Sequence, residues 1–464
     1  MKNNSRNKII FYIIVFIAAC MVIVIGIISD RRLKKSDAGK ISIVDSNENK
    51  IAEILVNSED LSVSYDCEEN YMTYADVVFD EVLDCICNKE NITRQKAYEV
   101  IKQSNWIITT TIDTDLQKKL YDMVQNKPIN KENGFAAEIN DINGRVLACV
   151  SSGDDSDYVL NRTYAGSVIK PLSVYGPAIE NGTINWASMV PDAPYKTITD
   201  DSGNAREWPV NVEPYTYKDY TVADGLKMSL NTIAVRTLKQ SGVENSCDFL
   251  ENKLGMDVAA EKESMAADGE DEILGNIALG YLRNGTTVKE MTGYYQVFSN
   301  GGSYTKSHAV ISIDKDRHNY YQNNEAKTQV FTSQTAYILN RMMKRVLDEG
   351  GTASGAYMDG YDIVGKTGTS DKDNWFIACT PNYICSIWKG KDDKNILNDK
   401  TDMFQLCDDI IKEIENKGDE FKKAENVEEK CICAKSGRIA GENCKDTMIG
   451  YFLSGTKPDI CEEE

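Results

Sequence analysis

Residues 362–390 read DIVGKTGTSDKDNWFIACTPNYICSIWKG, a series of apolar stretches separated by short polar turns. The β-branched and aromatic residues in these stretches predict strands. Residues 134–152, GFAAEINDINGRVLACVSS, form two further apolar runs that meet at Asn143-Gly144, which predicts a hairpin. Helical patterns surround both regions, and the clearest is the amphipathic stretch 331–351. The fold class predicted from these patterns is α+β or mixed α/β.

Composition excludes one class of partner. The chain has 464 residues, which suggests two or three domains, and a formal net charge of −20. Nucleic-acid binding needs a basic surface, so we expect no nucleic-acid partner. The acidic residues are spread along the whole chain, a pattern typical of a solvated surface.

The absence of several sequence motifs limits the catalytic mechanisms that this chain could use. The chain has only two histidines, His308 and His318, both in a polar stretch. It contains no GxSxG elbow for a Ser-His-Asp triad and no HExxH metal motif. A serine enzyme built from this sequence would therefore use lysine as its base, and we expect neither a metal nor a cofactor.

Ser167 and Lys170 offer that pairing. Side chains three residues apart on a helix lie on the same face, so a hydroxyl and an amine can come within hydrogen-bonding reach. Lysine can accept a proton near neutral pH only if burial or a nearby cation lowers its pKa. The SxxK pattern occurs six times in this chain, so alone it is a weak signal.

Two further motifs follow in the sequence. Ser229-Leu230-Asn231 offers a hydroxyl for proton transfer and an amide for a substrate peptide bond. Lys366-Thr367-Gly368-Thr369 contains the only KTG in the chain. On a strand edge this motif supplies an ammonium and a hydroxyl for a carboxylate, and Gly368 allows the substrate to approach the backbone closely.

In this order the three motifs are the SxxK, SxN and KTG set of serine β-lactamases and penicillin-binding proteins. Over roughly residues 75–464 the chain resembles the transpeptidase module of class A penicillin-binding proteins. Ala165 stands where that family more often has proline, and Ile169 where it more often has phenylalanine. The stretches that carry the resemblance are TTIDTDLQ at 110–117, AGSVIKP at 165–171, SLNTIAVR at 229–236, ALG at 278–280, FSNGG at 298–302, VGKTGTSDKDNWFIACTPNY at 364–383, CAKSGRIAGENC at 433–444 and YFLSGTKPDIC at 451–461. The resemblance implies the α+β fold of serine β-lactamases and transpeptidases, an antiparallel sheet flanked by helices.

The resemblance also implies a mechanism. Lys170 would take the proton from Ser167, whose oxygen would attack the penultimate D-alanine carbonyl of a peptidoglycan stem peptide. Backbone N–H groups of Ser167 and Thr369 would hold the oxyanion, and Ser229 would pass the proton to the leaving D-alanine. An amine from a neighbouring strand would then form the cross-link, and β-lactams would mimic the D-Ala-D-Ala end.

The remaining motif residues would bind substrate. Asn231 would contact a peptide bond, and Lys366 with Thr367 or Thr369 would hold the terminal carboxylate. Lys366 would also help to lower the pKa of Lys170.

Class A proteins normally carry a glycosyltransferase module between anchor and transpeptidase, and only a short segment stands there in this sequence. We therefore expect cross-linking without glycan polymerisation, and a separate polymerase as partner. Three alternatives stay open: a D,D-carboxypeptidase, a β-lactamase, and a sensor that binds β-lactam or muropeptide without turnover.

The segment Ile9–Ile28 has twenty residues without a charge, enough to span a bilayer as a helix. We expect residues 1–30 to be a short cytoplasmic tail and a single transmembrane anchor, with the body outside the cell. The basic residues on its two sides are nearly balanced, so orientation follows only from the location of peptidoglycan. A lipoprotein box ending at Cys20 and a cleaved signal peptide are the alternatives.

The rest of the chain is divided as a polar helical stalk at 31–105, a transpeptidase domain at 106–425 and a cysteine-containing tail at 426–464. The tail holds four of the thirteen cysteines. Zinc binding is an alternative there, but no histidine is near and the spacing fits no common finger, so one or two disulfides are favoured in an extracellular body. The four are Cys431, Cys433, Cys444 and Cys461.

Overall fold

The computed structural model describes residues 39–57, 60–125, 134–152, 157–199, 203–324, 326–390 and 400–462. The segment predicted as the membrane anchor, residues 1–30, lies outside this range. None of the helices in the described residues is both long and apolar enough to cross a bilayer.

The strands and helices of the described residues are as follows. The strands are β1 Gly39–Val44, β2 Lys50–Val56, β3 Val63–Cys67, β4 Asn105–Thr110, β5 Phe135–Asp141, β6 Val146–Ser152, β7 Met189–Pro191, β8 Lys196–Thr199, β9 Ala205–Trp208, β10 Asp219–Thr221, β11 Ser303–Thr305, β12 Val310–Lys315, β13 His318–Gln322, β14 Lys327–Gln329, β15 Val364–Thr369, β16 Asp373–Cys379, β17 Tyr383–Gly390, β18 Val427–Cys433 and β19 Thr447–Leu453. The α-helices are α1 Met72–Glu90, α2 Arg94–Ile101, α3 Thr114–Gln125, α4 Gly176–Glu180, α5 Val222–Lys227, α6 Asn231–Ser241, α7 Val243–Phe249, α8 Ala259–Asp268, α9 Glu270–Leu279, α10 Val288–Tyr295, α11 Ser333–Lys344 and α12 Thr401–Ile414.

The described chain divides into two compact units. The smaller unit takes its described residues from 39–110 and 310–323, and the larger unit from 111–309 and 324–462. The chain therefore leaves the larger unit once, between residues 309 and 310, to add two strands to the smaller one.

The smaller unit is a six-stranded sheet in the order β13-β12-β4-β1-β2-β3, with α1 and α2. The pair β1 and β4 is parallel, and the other neighbouring pairs are antiparallel. In β1 Ile41 and Ile43 are buried while Lys40 is exposed, the alternation expected of a strand with one face in a core. Val78 and Val82 of α1 are buried one turn apart.

This unit corrects the prediction of a polar helical stalk at 31–105. The helices are present, but three strands precede them and a fourth follows. The three strands before the helices were missed because each is short and includes polar residues, so the apolar period of two extends over few positions.

The larger unit is built on a five-stranded antiparallel sheet in the order β15-β16-β17-β5-β6. The predicted strands at 362–390 and the predicted hairpin at 134–152 are both in it. Helices α3 and α12 pack on the sheet, where Leu120, Ile139 and Leu406 belong to one apolar core. Helix α10 also contacts the sheet, through β5, β16 and β17. Every residue of β16 is buried, as expected for a strand covered on both faces. The predicted α+β fold with an antiparallel sheet and flanking helices is confirmed.

The described part of the segment predicted as a separate tail, residues 426–462, belongs to the larger unit. It contains the antiparallel hairpin β18–β19, and β19 contacts α11.

Candidate active site

The segment that carries Ser167 and Lys170 is a tight helical turn. Gly166–Ile169 forms a 3₁₀ helix, Pro171–Tyr175 a π-helical turn, and α4 follows directly. Residues three apart in a 3₁₀ turn lie one above the other, so Ser167 and Lys170 project toward the same side. Ser167 is half-buried and reachable from solvent, while Lys170 is fully buried.

Glycine backbones fix the position of this turn. Gly166 has φ +53°, and its N–H donates a hydrogen bond of 3.3 Å to the carbonyl of Gly280, which has φ +81°. A Cβ at Gly280 would lie 2.2 Å from the carbonyl oxygen of Gly166, and one at Gly166 would lie 2.8 Å from that of Thr369. A Cβ at Gly368 would lie 2.8 Å from the carbonyl oxygen of Ala165. The backbone of Ala165 and Gly166, directly before Ser167, thus lies against the end of β15.

Lys170 holds the SxN segment. Its Nζ donates to the backbone carbonyl of Ser229 at 2.8 Å and to Oδ1 of Asn231 at 2.7 Å. Burial lowers the pKa of Lys170 to about 7, because the charged form loses its hydration inside the protein. At neutral pH a large fraction of this amine is therefore neutral and able to accept a proton.

Ser229 lies between two lysines. Its carbonyl accepts from Lys170, and its Oγ accepts from Nζ of Lys366 at 2.8 Å. Its φ is +58°, a left-handed conformation that costs a non-glycine residue about 1–2 kcal/mol. Such strain is typical of functional sites, where the surrounding contacts hold the backbone.

Lys366 is fully buried in β15 and also donates to the backbone carbonyl of Thr367 at 2.9 Å. Burial holds the pKa of Lys366 well below its ordinary value, and repulsion from Lys170 and Lys400 lowers it further. The sequence resemblance implied that Lys366 lowers the pKa of Lys170. In the structure burial lowers the pKa of Lys170, and the repulsion between the two amines lowers the pKa of Lys366.

The two threonines of the KTGT motif have partners that the motif did not predict. Oγ1 of Thr367 shares a hydrogen bond of 2.6 Å with Oγ1 of Thr352, and Oγ1 of Thr369 accepts from Nζ of Lys400 at 3.0 Å. Burial also lowers the pKa of Lys400. The site therefore contains a third lysine amine, which no local motif could reveal because it follows the sheet at the start of α12.

Asp192 organises the loop before the SxN motif. Its Oδ1 accepts from Thr232 and from Nδ2 of Asn211, both at 2.7 Å, and its Oδ2 accepts from the backbone and side chain of Thr216. Burial alone would raise the pKa of Asp192, but these hydrogen bonds outweigh it and hold the pKa below its ordinary value. Asn211 in turn accepts from the backbone N–H of Asn231 at 2.8 Å.

The structure changes the expected position of the Asn231 amide. Its Oδ1 accepts from Lys170, and its Nδ2 donates to the carbonyl of Val210 at 2.6 Å. Both ends of the amide are thus already bonded within the protein. This side chain holds the amine of Lys170 in place, and its contact with a substrate peptide bond stays a prediction.

The arrangement is suited to nucleophilic chemistry. The reachable hydroxyl of Ser167 lies on the same turn as the buried amine of Lys170, whose pKa is lowered. Ser229, which accepts a hydrogen bond from Lys170, also accepts one from Lys366. Within the described residues, the group of three potential metal ligands, Cys433, Cys444 and Cys461, is in the C-terminal segment and includes none of these residues.

Comparison with known proteins identifies the family. Residues 123–383 match the family described as "Penicillin binding protein transpeptidase domain". The chain is 30% identical to penicillin-binding protein 4 of Bacillus subtilis over 384 residues, which are 79% of this chain and 57% of that protein. It is 29% identical to penicillin-binding protein 1F of the same organism over 76% of this chain and 49% of the relative. The chain spans about half the length of the curated relatives that it matches.

Solved structures share the fold at low identity. Penicillin-binding protein 1A of Haemophilus influenzae has a TM-score of 0.63 at 14% identity, with 92% of this chain and 99% of that chain covered. PonA1 of Mycobacterium tuberculosis, solved in complex with penicillin V, has a TM-score of 0.60 at 21% identity and covers 76% of this chain and 96% of its own. The match to more than half of the residues, together with the fold, shows that this chain belongs to the penicillin-binding protein transpeptidase family.

Proposed function

We propose that this chain is a peptidoglycan D,D-transpeptidase that works through an acyl-enzyme on Ser167 and is inhibited by β-lactams. The observation that carries the proposal is the pair of buried lysines, Lys170 and Lys366, joined through Ser229 beside a reachable Ser167. The family to which the chain belongs is one of serine acyltransferases.

Hydrogen-bond counting supports Lys170 as the base. A neutral amine has two N–H donors and one lone pair, whereas an ammonium has three donors and no acceptor. Both donors of a neutral Lys170 are used, on Ser229 and Asn231. Its lone pair is then available to the hydroxyl of Ser167, which lies on the same side of the turn.

In acylation, Lys170 accepts the Ser167 proton as Oγ attacks the penultimate D-alanine carbonyl. The contact between Gly166 and Thr369 brings the backbone N–H groups of Ser167 and Thr369 near one another, and these N–H groups hold the oxyanion. Each such donor is worth roughly 10²–10³ in rate. Ser229, whose hydroxyl receives a hydrogen bond from Lys366, passes the proton to the leaving D-alanine amine.

The terminal carboxylate of the donor peptide binds at the end of β15. Lys366, Thr367 and Thr369 supply the ammonium and hydroxyl groups, with Gly368 allowing close approach. Lys400 adds a second amine beside Thr369. A bound carboxylate favours the charged form of both amines, which offsets the effect of burial on their pKa values.

In the second half-reaction a stem-peptide amine attacks the acyl-enzyme, so the cycle is of the ping-pong type. Water in place of the amine would give a carboxypeptidase or, on a penicilloyl-enzyme, a β-lactamase. The three motifs serve all these outcomes, and the class A flanking sequences favour the amine acceptor.

The test uses the full chain with a stem pentapeptide ending in D-Ala-D-Ala, an acceptor peptide amine and, separately, a fluorescent penicillin. We expect a cross-linked peptide by mass spectrometry and a stable penicilloyl adduct on Ser167, both absent in Ser167→Ala. Only the shortened peptide would identify a carboxypeptidase, and rapid penicillin hydrolysis a β-lactamase. An adduct without any peptide product would identify a sensor.

The rate of penicillin acylation is expected to depend on pH through Lys170. Protonation removes the lone pair of the base, so the rate should fall about tenfold for each pH unit below about 7 and level off above it. The second-order acylation rate, measured from about pH 5 to about pH 9, checks this expectation. An acylation rate that does not change over that whole pH range would contradict the role of Lys170 as base.

We also propose that Ile9–Ile28 anchors the chain in the cell membrane with its body outside, and that a separate glycan polymerase supplies the strands to be cross-linked. The sequence supports both statements. Protease treatment of intact cells should remove the body. With the isolated protein, cross-linked glycan should form only when a polymerase is added. Protection from protease in intact cells would contradict the orientation.

A further inference from the structure

Three cysteines meet in the C-terminal segment of the larger unit. Cys433 ends β18, Cys444 lies in the loop before β19, and Cys461 follows β19 near the end of the described chain. The backbone N–H of Cys461 donates to the carbonyl of Ile439 at 2.7 Å, which brings the last residues back onto the loop after β18.

The thiols of Cys433, Cys444 and Cys461 form one compact group. Their three Sγ atoms lie within 4.8 Å of one another, and all three are free thiols. Cys433 and Cys461 are buried, and Cys444 is half-buried. The sequence favoured one or two disulfides in this segment. Within the described residues these three cysteines are instead unbridged and lie together in one group.

Polar hydrogens point at two of these sulfurs. Backbone N–H groups of Lys435 and Ser436 and the hydroxyl of Ser436 hydrogen-bond to Cys433. The single hydrogen of the Ser436 hydroxyl is shared between Cys433 and Sγ of Cys461, which lies 3.2 Å from the hydroxyl oxygen. Donors directed at sulfur stabilise the thiolate, and such contacts commonly surround thiolate ligands of metals.

We propose that Cys433, Cys444 and Cys461 together bind one thiophilic divalent cation of the Zn²⁺ type, with the fourth position open toward solvent beside Cys444. Zinc–sulfur bonds of about 2.3 Å in tetrahedral geometry place neighbouring sulfurs about 3.8 Å apart, which the group can reach with small side-chain shifts. A disulfide would join only two of the sulfurs and leave the third thiol beside it unused. Each thiol gives up its proton when it binds the cation.

Such a cation would fasten the end of the chain to the rest of the larger unit. A Cβ at Gly437 would lie 2.3 Å from the carbonyl oxygen of Ala187, and the rings of Trp186 and Tyr451 are in contact. The hairpin β18–β19 thus packs on the segment before β7, and the cation would close it from the other end.

The test titrates Co²⁺ alone into the full chain after reduction and removal of metal by chelation. We expect about one Co²⁺ per chain, with the intense visible absorption and thiolate charge transfer of tetrahedral thiolate coordination, and full displacement by Zn²⁺. Cys444→Ser should lose the absorption. Cys87→Ser, which changes an equally half-buried thiol in α1, should keep it.

Near-ultraviolet circular dichroism of metal-free Cys444→Ser shows whether the fold persists, so that a lost band reports the ligand alone. The proposal is overturned if the reduced wild-type chain takes up no more Co²⁺ than Cys444→Ser. It is also overturned if the isolated chain holds a disulfide between two of these cysteines and binds no cation once reduced.

Discussion

Replacing Lys170 by methionine is expected to slow acylation of Ser167 by a fluorescent penicillin by about 10²–10⁴-fold, the usual contribution of a general base. Methionine fills a similar volume but has no nitrogen lone pair to accept the Ser167 proton. It also leaves the carbonyl of Ser229 and Oδ1 of Asn231 without their donor. A time course of adduct formation on denaturing gels gives the rate.

Ser454 and Lys457 supply the matched control, since they form another SxxK pair but both are exposed. Lys457→Met should acylate at the wild-type rate. Melting temperatures of both variants separate loss of the base from loss of the fold. If Lys170→Met is folded and acylates within a fewfold of wild type, another group is the base.

Changing Gly280 to alanine is expected to remove most acylation and to lower the free energy of unfolding by roughly 2–4 kcal/mol. Two causes add: φ is +81° at this residue, and the new Cβ would lie 2.2 Å from the carbonyl oxygen of Gly166. The turn that carries Ser167 would have to move away from Gly280, and with it the backbone N–H of Ser167 that we propose as an oxyanion donor. Denaturant unfolding and penicillin acylation measure the two effects.

Gly182 separates these causes. Its φ is +75°, but a Cβ there would meet nothing within 4 Å. Gly182→Ala should therefore cost about 1 kcal/mol and leave acylation unchanged. Equal effects of the two substitutions would show that backbone conformation, rather than contact with Gly166, explains the loss at Gly280.

The sequence was most informative where local pattern and tertiary structure agree. The strands of 362–390 and the hairpin of 134–152 are rich in apolar and β-branched residues because they form the buried sheet of the larger unit. The three motifs were also readable, since each keeps its reactive groups within four residues. The resemblance placed them in one site, and the structure joins all three directly through Ser229 and its two lysines.

What the sequence did not reveal depends on contacts between distant residues. Lys400 and Thr352 reach the KTGT motif only through folding, and Asp192 acts on Asn231 through Asn211. No spacing rule links such positions. The prediction of a helical stalk at 31–105 was wrong for a different reason. Short strands with one solvated face give a weak periodic signal, so the strands in this segment were not recognised.

The path of the chain through the two units has a consequence for biosynthesis. Strand β4 pairs with β12 along one edge, yet residues 111–309 are made between them. Until β12 emerges from the ribosome, β4 has an open edge of unpaired backbone groups, the kind of edge that pairs with other chains. A chain that stalls or is cut within residues 111–309 is thus left with an incomplete sheet and a site for aggregation. The smaller unit therefore cannot be completed until residues 111–309 of the larger unit have been translated.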